Sequence, residues 1–330
     1  MPVREFVWDG SSWGGGSDSS FILGTTEPTR SNTGAGTDDF VYPTIVVNGN
    51  VTINAGQVYE DRIINGWVNL NVGGTIRNCV VSGGSPPTDG RPLVNVIIPG
   101  GWNEVDQAVI DHCTLQPPLA SRSLGYSTAV GIKGYRCTRT KILDCIDGFT
   151  VSGGSTAPNV TIEGCYVSDM VALNPDPWGY WPATHNDIIQ HHGSTASFPA
   201  SSVSVVGNSF DCRPSAGSNV ATPNIVNGTA QVSFAAVMYS KPTGVYSAMI
   251  LDRNWMRGGN QTLQCVDAAI IGTLVATGNR WERGTANGGS PPDGLPFVAA
   301  YLSTTATSGR LTWTDNVWLT GGAATPMYTT

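Results

Sequence analysis

Val203-Ser-Val-Val-Gly-Asn208 and Leu311-Thr-Trp-Thr-Asp-Asn316 are two of eight segments that share one pattern in this chain of 330 residues. Each alternates apolar and polar residues and ends on an anchor, Cys or Asn, that follows a turn-forming residue. The other six segments are Gly74-Thr-Ile-Arg-Asn-Cys79, Ala108-Val-Ile-Asp-His-Cys113, Thr140-Lys-Ile-Leu-Asp-Cys145, Val160-Thr-Ile-Glu-Gly-Cys165, Met249-Ile-Leu-Asp-Arg-Asn254 and Leu274-Val-Ala-Thr-Gly-Asn279. The residue three before each anchor is apolar in all eight, and the residue two after it is apolar in all except Asp147.

This pattern predicts short strands that bend at the anchor, because alternation with period two turns one face of a strand inward. A small or turn-forming pair then redirects the chain. A single repeat cannot bury its own apolar face, so neighbouring repeats must stack. We therefore predict an all-β fold, a single-stranded right-handed parallel β-helix with a short non-helical N-terminal segment. A sandwich would not repeat one turn eight times, and a propeller would need a more even spacing.

The anchors are expected to stack in one column inside the bend. An Asn in such a column can bond the backbone and its stacked neighbours, as in cross-β ladders. The cysteines are then buried, reduced thiols. The seven cysteines form no CxxC pair, which disfavours a zinc or thioredoxin-like centre. We therefore expect no metal and no cofactor.

Composition supports this interpretation and excludes several classes of protein. Only 12% of residues are charged, against about 25% in ordinary soluble domains, so the sequence lacks the Glu and Lys of helical bundles. The net charge of −7 argues against a nucleic-acid partner. No apolar run is long enough to span a membrane, and the start Met1-Pro-Val-Arg-Glu-Phe6 does not resemble a signal peptide.

The chain divides into two parts by composition. Residues 1–40 contain the Gly- and Ser-rich stretch 9–20, with apolar Phe6, Trp8, Trp13 and Phe21 in or beside it. Such a stretch is typical of a flexible tether. We interpret residues 1–40 either as an anchor that docks on a partner protein or as a cap over the open end of the main domain. Residues 41–330 form the β-helix domain with inserted loops.

Three of the four histidines fall in residues 174–193, which makes this segment the candidate site. Aromatic rings stack on the apolar faces of sugars while polar groups bond the hydroxyls, and imidazoles can act as general acid or base. His185 and Asp187 are the candidate catalytic pair. The candidate glycan-binding residues are Asp176, Trp178, Tyr180, Trp181, Gln190, His191 and His192.

Besides glycan binding, three interpretations of this segment stay open. In the first it is structural: His185 pairs with Asp187, and polar groups stitch adjacent coils together. In the second it hydrolyses glycosides, which needs two carboxylates; Asp147, Asp169, Asp176 and Asp187 are the candidates. In the third it is a lyase, in which His185 removes a proton while Arg136 or Arg139 neutralises a uronate.

Three stretches resemble a known family. Pro28-Thr-Arg-Ser-Asn-Thr-Gly-Ala-Gly-Thr37, then Val51-Thr-Ile-Asn-Ala-Gly56 and the coils, look like the β-helical minor tail proteins of phages that infect actinobacteria. Thr184-His-Asn-Asp-Ile-Ile-Gln190 is similar to the His-x-Asp-x-x-Gln signature of those proteins and of other pectate-lyase-like β-helices. The resemblance covers roughly residues 25–215. An aliphatic residue or Gly usually follows the signature Gln, and His191 stands there instead.

The resemblance implies a virion protein of the tail tip, fibre or spike, assembled in the host cytoplasm. It implies other tail proteins and host cell-wall polysaccharide as partners, and by analogy a homotrimer. The leading expectation is a structural and receptor-binding tail protein that need not be an enzyme. The alternatives are a tail-borne polysaccharide lyase or glycoside hydrolase, and a purely structural tail-tip component.

Overall fold

A computed structural model describes much of the β-helix and the segment that leads into it. The described residues are 21–84, 91–98, 106–117, 128–131, 133–152, 159–171, 173, 186–192, 202–212, 225–226, 229–230, 234–240, 248–257, 263–265, 273–282, 300–303, 311–324 and 326–329. They contain strands and no helix. No helix among them is long and apolar enough to cross a membrane.

Three parallel sheets form the walls of the solenoid. Sheet A contains β1 (Ile45–Asn48), β4 (Arg62–Asn65), β7 (Val80–Val81), β10 (Thr114–Leu115), β13 (Lys141–Leu143), β16 (Tyr166–Ser168), β19 (Ser209–Asp211), β24 (Trp255–Arg257), β27 (Arg280–Trp281) and β30 (Val317–Trp318). Sheet B contains β2 (Val51–Ile53), β5 (Val68–Asn71), β8 (Val94–Ile97), β11 (Thr128–Gly131), β14 (Asp147–Ser152), β17 (Asn186–His192), β22 (Phe234–Ser240), β25 (Leu263–Cys265), β28 (Ala300–Ser303) and β31 (Pro326–Thr329). Sheet C contains β3 (Val58–Glu60), β6 (Thr75–Arg77), β9 (Ala108–Asp111), β12 (Tyr135–Thr138), β15 (Val160–Glu163), β18 (Ser202–Val206), β23 (Ala248–Asp252), β26 (Leu274–Thr277) and β29 (Leu311–Thr314). An antiparallel pair, β20 (Ile225–Val226) and β21 (Thr229–Ala230), stands apart from these sheets.

The chain visits the sheets in the order A, B, C and then returns to A one rung further along, which is the path of a parallel β-helix. In the first turns the rung is short, since Ile63 pairs with Val80 only 17 residues later. Later rungs carry inserted segments, so Phe210 pairs with Met256, 46 residues on. The predicted fold class is therefore confirmed.

The corner between sheets C and A repeats the same backbone in every described rung. One residue in each corner has a positive φ, between 47° and 63°: Asp61, Asn78, His112, Arg139, Gly164, Gly207, Arg253, Gly278 and Asp315. A left-handed residue turns the chain sharply, and Gly, Asn and Asp adopt it at the lowest cost. In every corner after the first, the residue that follows it is buried in the bend. We call these following residues the corner column: Cys79, Cys113, Thr140, Cys165, Asn208, Asn254, Asn279 and Asn316.

One of the eight predicted anchors is wrong. Asp111 pairs with Thr138, and Thr138 pairs with Glu163, so the third member of the corner column is Thr140 and not Cys145. Cys145 belongs to the next corner, after β13, where Asp144 has a φ of 60°. Asp144-Cys145 matches the turn signature in sequence. Arg139-Thr140 does not match it, because Arg seldom takes a left-handed conformation. The residue two positions after Thr140 is Ile142, which is apolar. Asp147 therefore does not interrupt the row of apolar residues that follow the corner column on sheet A.

The four asparagines of the corner column form a continuous ladder. The side-chain NH₂ of Asn208 donates to Asn254 Oδ1, Asn254 donates to Asn279 Oδ1, and Asn279 donates to Asn316 Oδ1, each at 2.9 Å. Each amide also donates to a backbone carbonyl in the rung before, as Asn254 does to Val205 at 2.9 Å. Each Oδ1 accepts a backbone N–H from that same rung, as Asn254 Oδ1 does from Asn208. The predicted Asn stack is confirmed.

The interior is packed with aliphatic and aromatic columns. On sheet C the column is Ile76, Ile110, Cys137, Ile162, Val205, Leu251, Ala276 and Trp313. On sheet A it is Val81, Leu115, Ile142, Val167, Phe210, Met256, Trp281 and Trp318. The six cysteines whose side chains are described are free and buried, as predicted. Burial raises the pKa of Cys79 to about 11 and that of Cys113 well above its ordinary value.

Residues 21–43, which we call the strap, run along the outside of the C/A corner. Phe21 lies over the Arg139 guanidinium, with 3.6 Å between Arg139 Cζ and the ring centroid, and Gly24 lies against Arg253 and Gly207. Further on, Gly34 N–H donates to the Arg139 carbonyl at 2.8 Å. The described part of the predicted 1–40 segment therefore follows the flank of the solenoid. Its predicted role as an anchor or cap stays a prediction, and residues 1–20 lie outside the described residues.

Candidate functional site

Strand β17 carries the described part of the candidate site, in the middle of sheet B between β14 and β22. It contains Asp187, Gln190, His191 and His192. The other predicted site residues lie outside the described residues: Asp176, Trp178, Tyr180, Trp181 and His185. The pairing of His185 with Asp187 therefore stays a prediction.

Asp187 lies next to Asp147 across the β14–β17 pair. Its backbone N–H donates to Asp147 Oδ1 at 2.9 Å, and the register that pairs Phe149 with Ile189 puts the two residues in adjacent rungs. Adjacent strands are about 4.8 Å apart. Two of the four carboxylates considered for hydrolysis thus come together, and nothing in their sequence separation of 40 residues could have shown this.

Both residues of this carboxylate pair are buried. Asp187 is 0% exposed and Asp147 is 7% exposed. A retaining glycosidase holds its carboxyl groups about 5–5.5 Å apart, a separation that two neighbouring strands can provide. The same reaction requires the sugar to reach both groups, and burial opposes that access.

Of the other two candidate carboxylates, Asp169 does not join this pair. Asp169 forms an ion pair with Arg30 of the strap and accepts a hydrogen bond from Ser168 at 2.8 Å. Asp176 is not described. Asp169 therefore belongs to the attachment of the strap.

The rest of β17 alternates along the sheet. Gln190 is half-buried and pairs with Thr150 on one side and Met238 on the other. His191 is in register with Val151, and His192 with Ser152. Consecutive strand positions belong to opposite faces of a sheet, so positions 191 and 192 lie on opposite faces of sheet B.

The two arginines considered for lyase chemistry are engaged elsewhere. Arg136 on sheet C donates to Glu163 Oε2 at 2.8 Å. Arg139, in the C/A corner, donates to Asp38 Oδ1 at 2.9 Å and to the Asn32 carbonyl at 2.7 Å. Burial outweighs the charge of Asp38 and lowers the pKa of Arg139. Both side chains thus serve contacts within the wall and with the strap.

Sequence reasoning missed a second polar cluster, which is centred on the fourth histidine. His112 occupies the left-handed position of its corner and lies between Asp111 of its own strand and Asp38 of the strap, with ring-to-carboxylate distances of 2.8 and 2.7 Å. Asp111 also accepts a hydrogen bond from Thr138 at 2.6 Å. The Asp111-His112 pair directly before an anchor was the available signal, although its partner on the strap is 74 residues away.

No group of three or more His, Cys, Asp or Glu side chains that could hold a metal ion occurs within the part of the chain that the structure describes. A shallow depression of about 340 Å³ lies at the N-terminal end, lined by strap residues 39–43, Thr44, Ile45 and Asp61. It is far along the chain from β17 and contains no acid–base pair with histidine.

Comparisons with known proteins give no family for this chain. No protein-family model, no curated protein and no solved structure matches it. What is established is the fold, an all-β parallel β-helix.

Proposed function

We propose that this chain is a structural and receptor-binding component of a phage tail that contacts host cell-surface glycan. Two things support the proposal. The fold is a parallel β-helix, and the sequence of residues 25–215 resembles β-helical minor tail proteins. A wall of stacked rungs offers an extended, weakly charged surface, which suits neutral or mildly acidic sugars better than polyanions.

The observation that favours binding over cleavage is the burial of Asp187. A catalytic carboxylate must reach the reacting bond, and Asp187 is 0% exposed. A structural role fits this position better, because the buried Asp147 carboxylate accepts a hydrogen bond from the Asp187 backbone N–H and so holds β17 against β14. The aromatic residues of 174–181 then supply the contact with sugar rings.

The second candidate function is a tail-borne glycoside hydrolase, and the Asp147–Asp187 pair is the observation that favours it. The two carboxylates are adjacent, as a double-displacement mechanism requires. The imidazole candidate His185 directly precedes β17 in the sequence. A lyase is less well supported, because Arg136 and Arg139 are engaged by Glu163 and Asp38.

A pull-down on host cell-wall polysaccharide, combined with an assay for new reducing or unsaturated ends, tests both functions. We expect retention without new ends, and we expect Trp178→Ala with Trp181→Ala to weaken retention at least tenfold. Tyr42→Ala is the matched control, since Tyr42 is an exposed aromatic (57%) at the far end of the solenoid.

Two results would overturn parts of the proposal. New reducing ends without unsaturated ends that vanish in Asp187→Asn, with retention unchanged, would establish the hydrolase. Wild-type protein that neither binds nor cleaves would leave the chain as a purely structural tail piece.

A further inference from the structure

His112 holds the strap by two contacts at once. Its Nδ1 faces Asp111 Oδ1 at 2.8 Å, and its Nε2 faces Asp38 Oδ2 at 2.7 Å. The side chain is only 14% exposed. The Phe40 ring covers it, with 4.8 Å between ring centroids. Both nitrogens of the imidazole are thus committed to carboxylate oxygens.

This arrangement needs a doubly protonated ring. An ionised carboxylate only accepts hydrogen bonds, and a neutral imidazole has a single N–H to donate. If the ring loses a proton, one nitrogen lone pair faces a carboxylate oxygen at hydrogen-bond distance. One of the two contacts then turns from attractive to repulsive.

We propose that part of the strap, residues 29–41, is a proton-operated clasp. It is closed on the C/A corner while His112 carries both ring protons, and it loosens when His112 loses one. The weaker side is the strap. Asp111 is built into β9 and is held by Thr138, whereas Asp38 lies on a segment without strand pairing of its own.

The surrounding charges determine how far the clasp opens. Arg139, from the following rung, keeps its bond to Asp38 at any pH near neutrality, since its guanidinium stays charged. From the preceding rung, Arg77 lies over the Phe40 ring, 5.8 Å from its centroid. Asn78 of that rung binds Asp61 at 2.6 Å and the Val41 carbonyl at 2.8 Å. We therefore expect loosening around Asp38 and not complete release.

The electrostatics agree with this sign. Burial disfavours the charged ring, but hydrogen bonds to Asp111 and Asp38 outweigh it, so the pKa of His112 is raised. Burial likewise opposes ionisation of Asp38, but bonds from His112 and the charge of Arg139 lower its pKa. A raised histidine pKa stabilises the closed form below the ordinary histidine value, and this stabilisation disappears as the pH rises through the folded value. The pKa values of Asp38 and Asp111 are lowered, so both carboxylates stay ionised below their ordinary pKa values. The stabilisation of the closed form therefore persists into that acidic range.

Three backbone amides of the strap report directly on the clasp. Gly34 N–H donates to the Arg139 carbonyl, Ala35 N–H to Thr114 Oγ1 at 3.0 Å and Gly36 N–H to Asn78 Oδ1 at 2.8 Å. Hydrogen exchange of these amides in the full chain, corrected for the intrinsic rate at each pH, measures how often the strap opens. Amides of β18 and β19, in the Asn ladder region, serve as the internal reference.

We expect protection of the three strap amides to fall about tenfold between about pH 6 and pH 9, while the reference amides stay constant, since losing a hydrogen bond to a charged group shifts such an equilibrium by about tenfold or more. His112→Asn should abolish this dependence. Asn is accepted at that corner, because the preceding rung carries Asn78 there with a φ of 47°. Asp38→Asn should also flatten the profile, since a neutral ring can donate from Nδ1 to Asp111 while its Nε2 accepts from the NH₂ of the substituted amide.

The proposal is overturned if strap protection is constant while the His112 ring titrates by NMR. It is also overturned if His112→Asn keeps the wild-type pH profile, since another group would then operate the clasp. Should His112→Asn fail to fold, Asp38→Asn leaves the wall intact and decides the matter alone.

Discussion

In the rungs of Cys79, Cys113 and Cys165 the C/A corner is filled by thiols, whereas the rungs from Asn208 to Asn316 fill it with side-chain amides. The backbone of the two halves is the same, and so is the target of the side chain. Cys165 Sγ reaches the Cys137 carbonyl at 3.5 Å, as the Asn208 amide reaches the Ile162 carbonyl at 3.0 Å. The thiol contact is the weaker version of one shared bond.

The two halves also differ on the outside of the corner. At the Cys79, Cys113 and Thr140 corners the left-handed residues are Asn78, His112 and Arg139, whose side chains all bind the strap, whereas Gly164 at the Cys165 corner has no side chain. In the amide half they include Gly207 and Gly278, which present no side chain. One corner geometry can thus be stabilised from within by an amide ladder or from without by side-chain bonds to the strap, although the strap also packs against Gly207 in the amide half.

Removing one amide from the ladder is the strongest test of this difference. Asn254→Ala deletes two donated and two accepted hydrogen bonds and leaves their buried partners unsatisfied. We expect the free energy of unfolding to fall by about 2–4 kcal/mol in urea titrations. Cys113→Ala is the control at the same column position, and we expect it to cost about 1 kcal/mol. Equal losses would mean that the amide ladder adds nothing beyond packing.

The fit of the strap can be broken at one glycine. A Cβ on Gly207 would lie 2.5 Å from the Gly24 backbone nitrogen, so Gly207→Ala should push the strap away and lower stability by about 2–3 kcal/mol. Gly278→Ala has the same φ, within 1°, but would meet only the flexible Arg253 side chain at 3.1 Å.

The control should therefore cost only the left-handed conformation of Ala, about 1–2 kcal/mol. Trypsin cleavage after the exposed Arg30 measures the strap separately from global unfolding. Faster cleavage in Gly207→Ala alone is expected. Identical cleavage in both variants would show that the contact with Gly24 does not hold the strap.

Exchanging Cys and Asn within the corner column should change stability the least, and it compares the two halves most directly. In Cys165→Asn the new amide can donate to Asn208 Oδ1 and to the Cys137 carbonyl, which extends the ladder by one rung. We expect stability within about 1 kcal/mol of wild type. The reverse change, Asn208→Cys, interrupts the ladder and should cost about 2 kcal/mol in the same urea titration. If the forward exchange is as harmful as the reverse, the two halves are not equivalent.

Much of the fold could be predicted from local patterns. Seven of the eight anchors, the Asn stack and the buried thiols follow from alternation and turn chemistry, which act over a few residues. The third anchor could not be predicted in this way, because Asp144-Cys145 is a better turn signal than Arg139-Thr140. Only strand register distinguishes the two. The first rung, with its left-handed Asp61, also escaped detection, since it ends on Arg62 and not on Cys or Asn.

The candidate site was predictable only as a segment. Residue types drew attention to 174–193, but the neighbour that β17 brings to Asp187 is Asp147, 40 residues earlier. The inserted segments between rungs vary in length, so spacing along the chain does not reveal which side chains meet. The same holds for His112, whose contact with Asp38 spans 74 residues.

The sequence by itself determined that this chain folds as a stacked, weakly charged parallel β-helix, because periodic alternation and repeated corners leave no other way to bury its apolar faces. Only the tertiary structure decided which residues became neighbours across rungs and how the strap lies along the corner. Those contacts depend on the register of each strand and on the path of the strap, and both are set by packing between residues far apart in the chain.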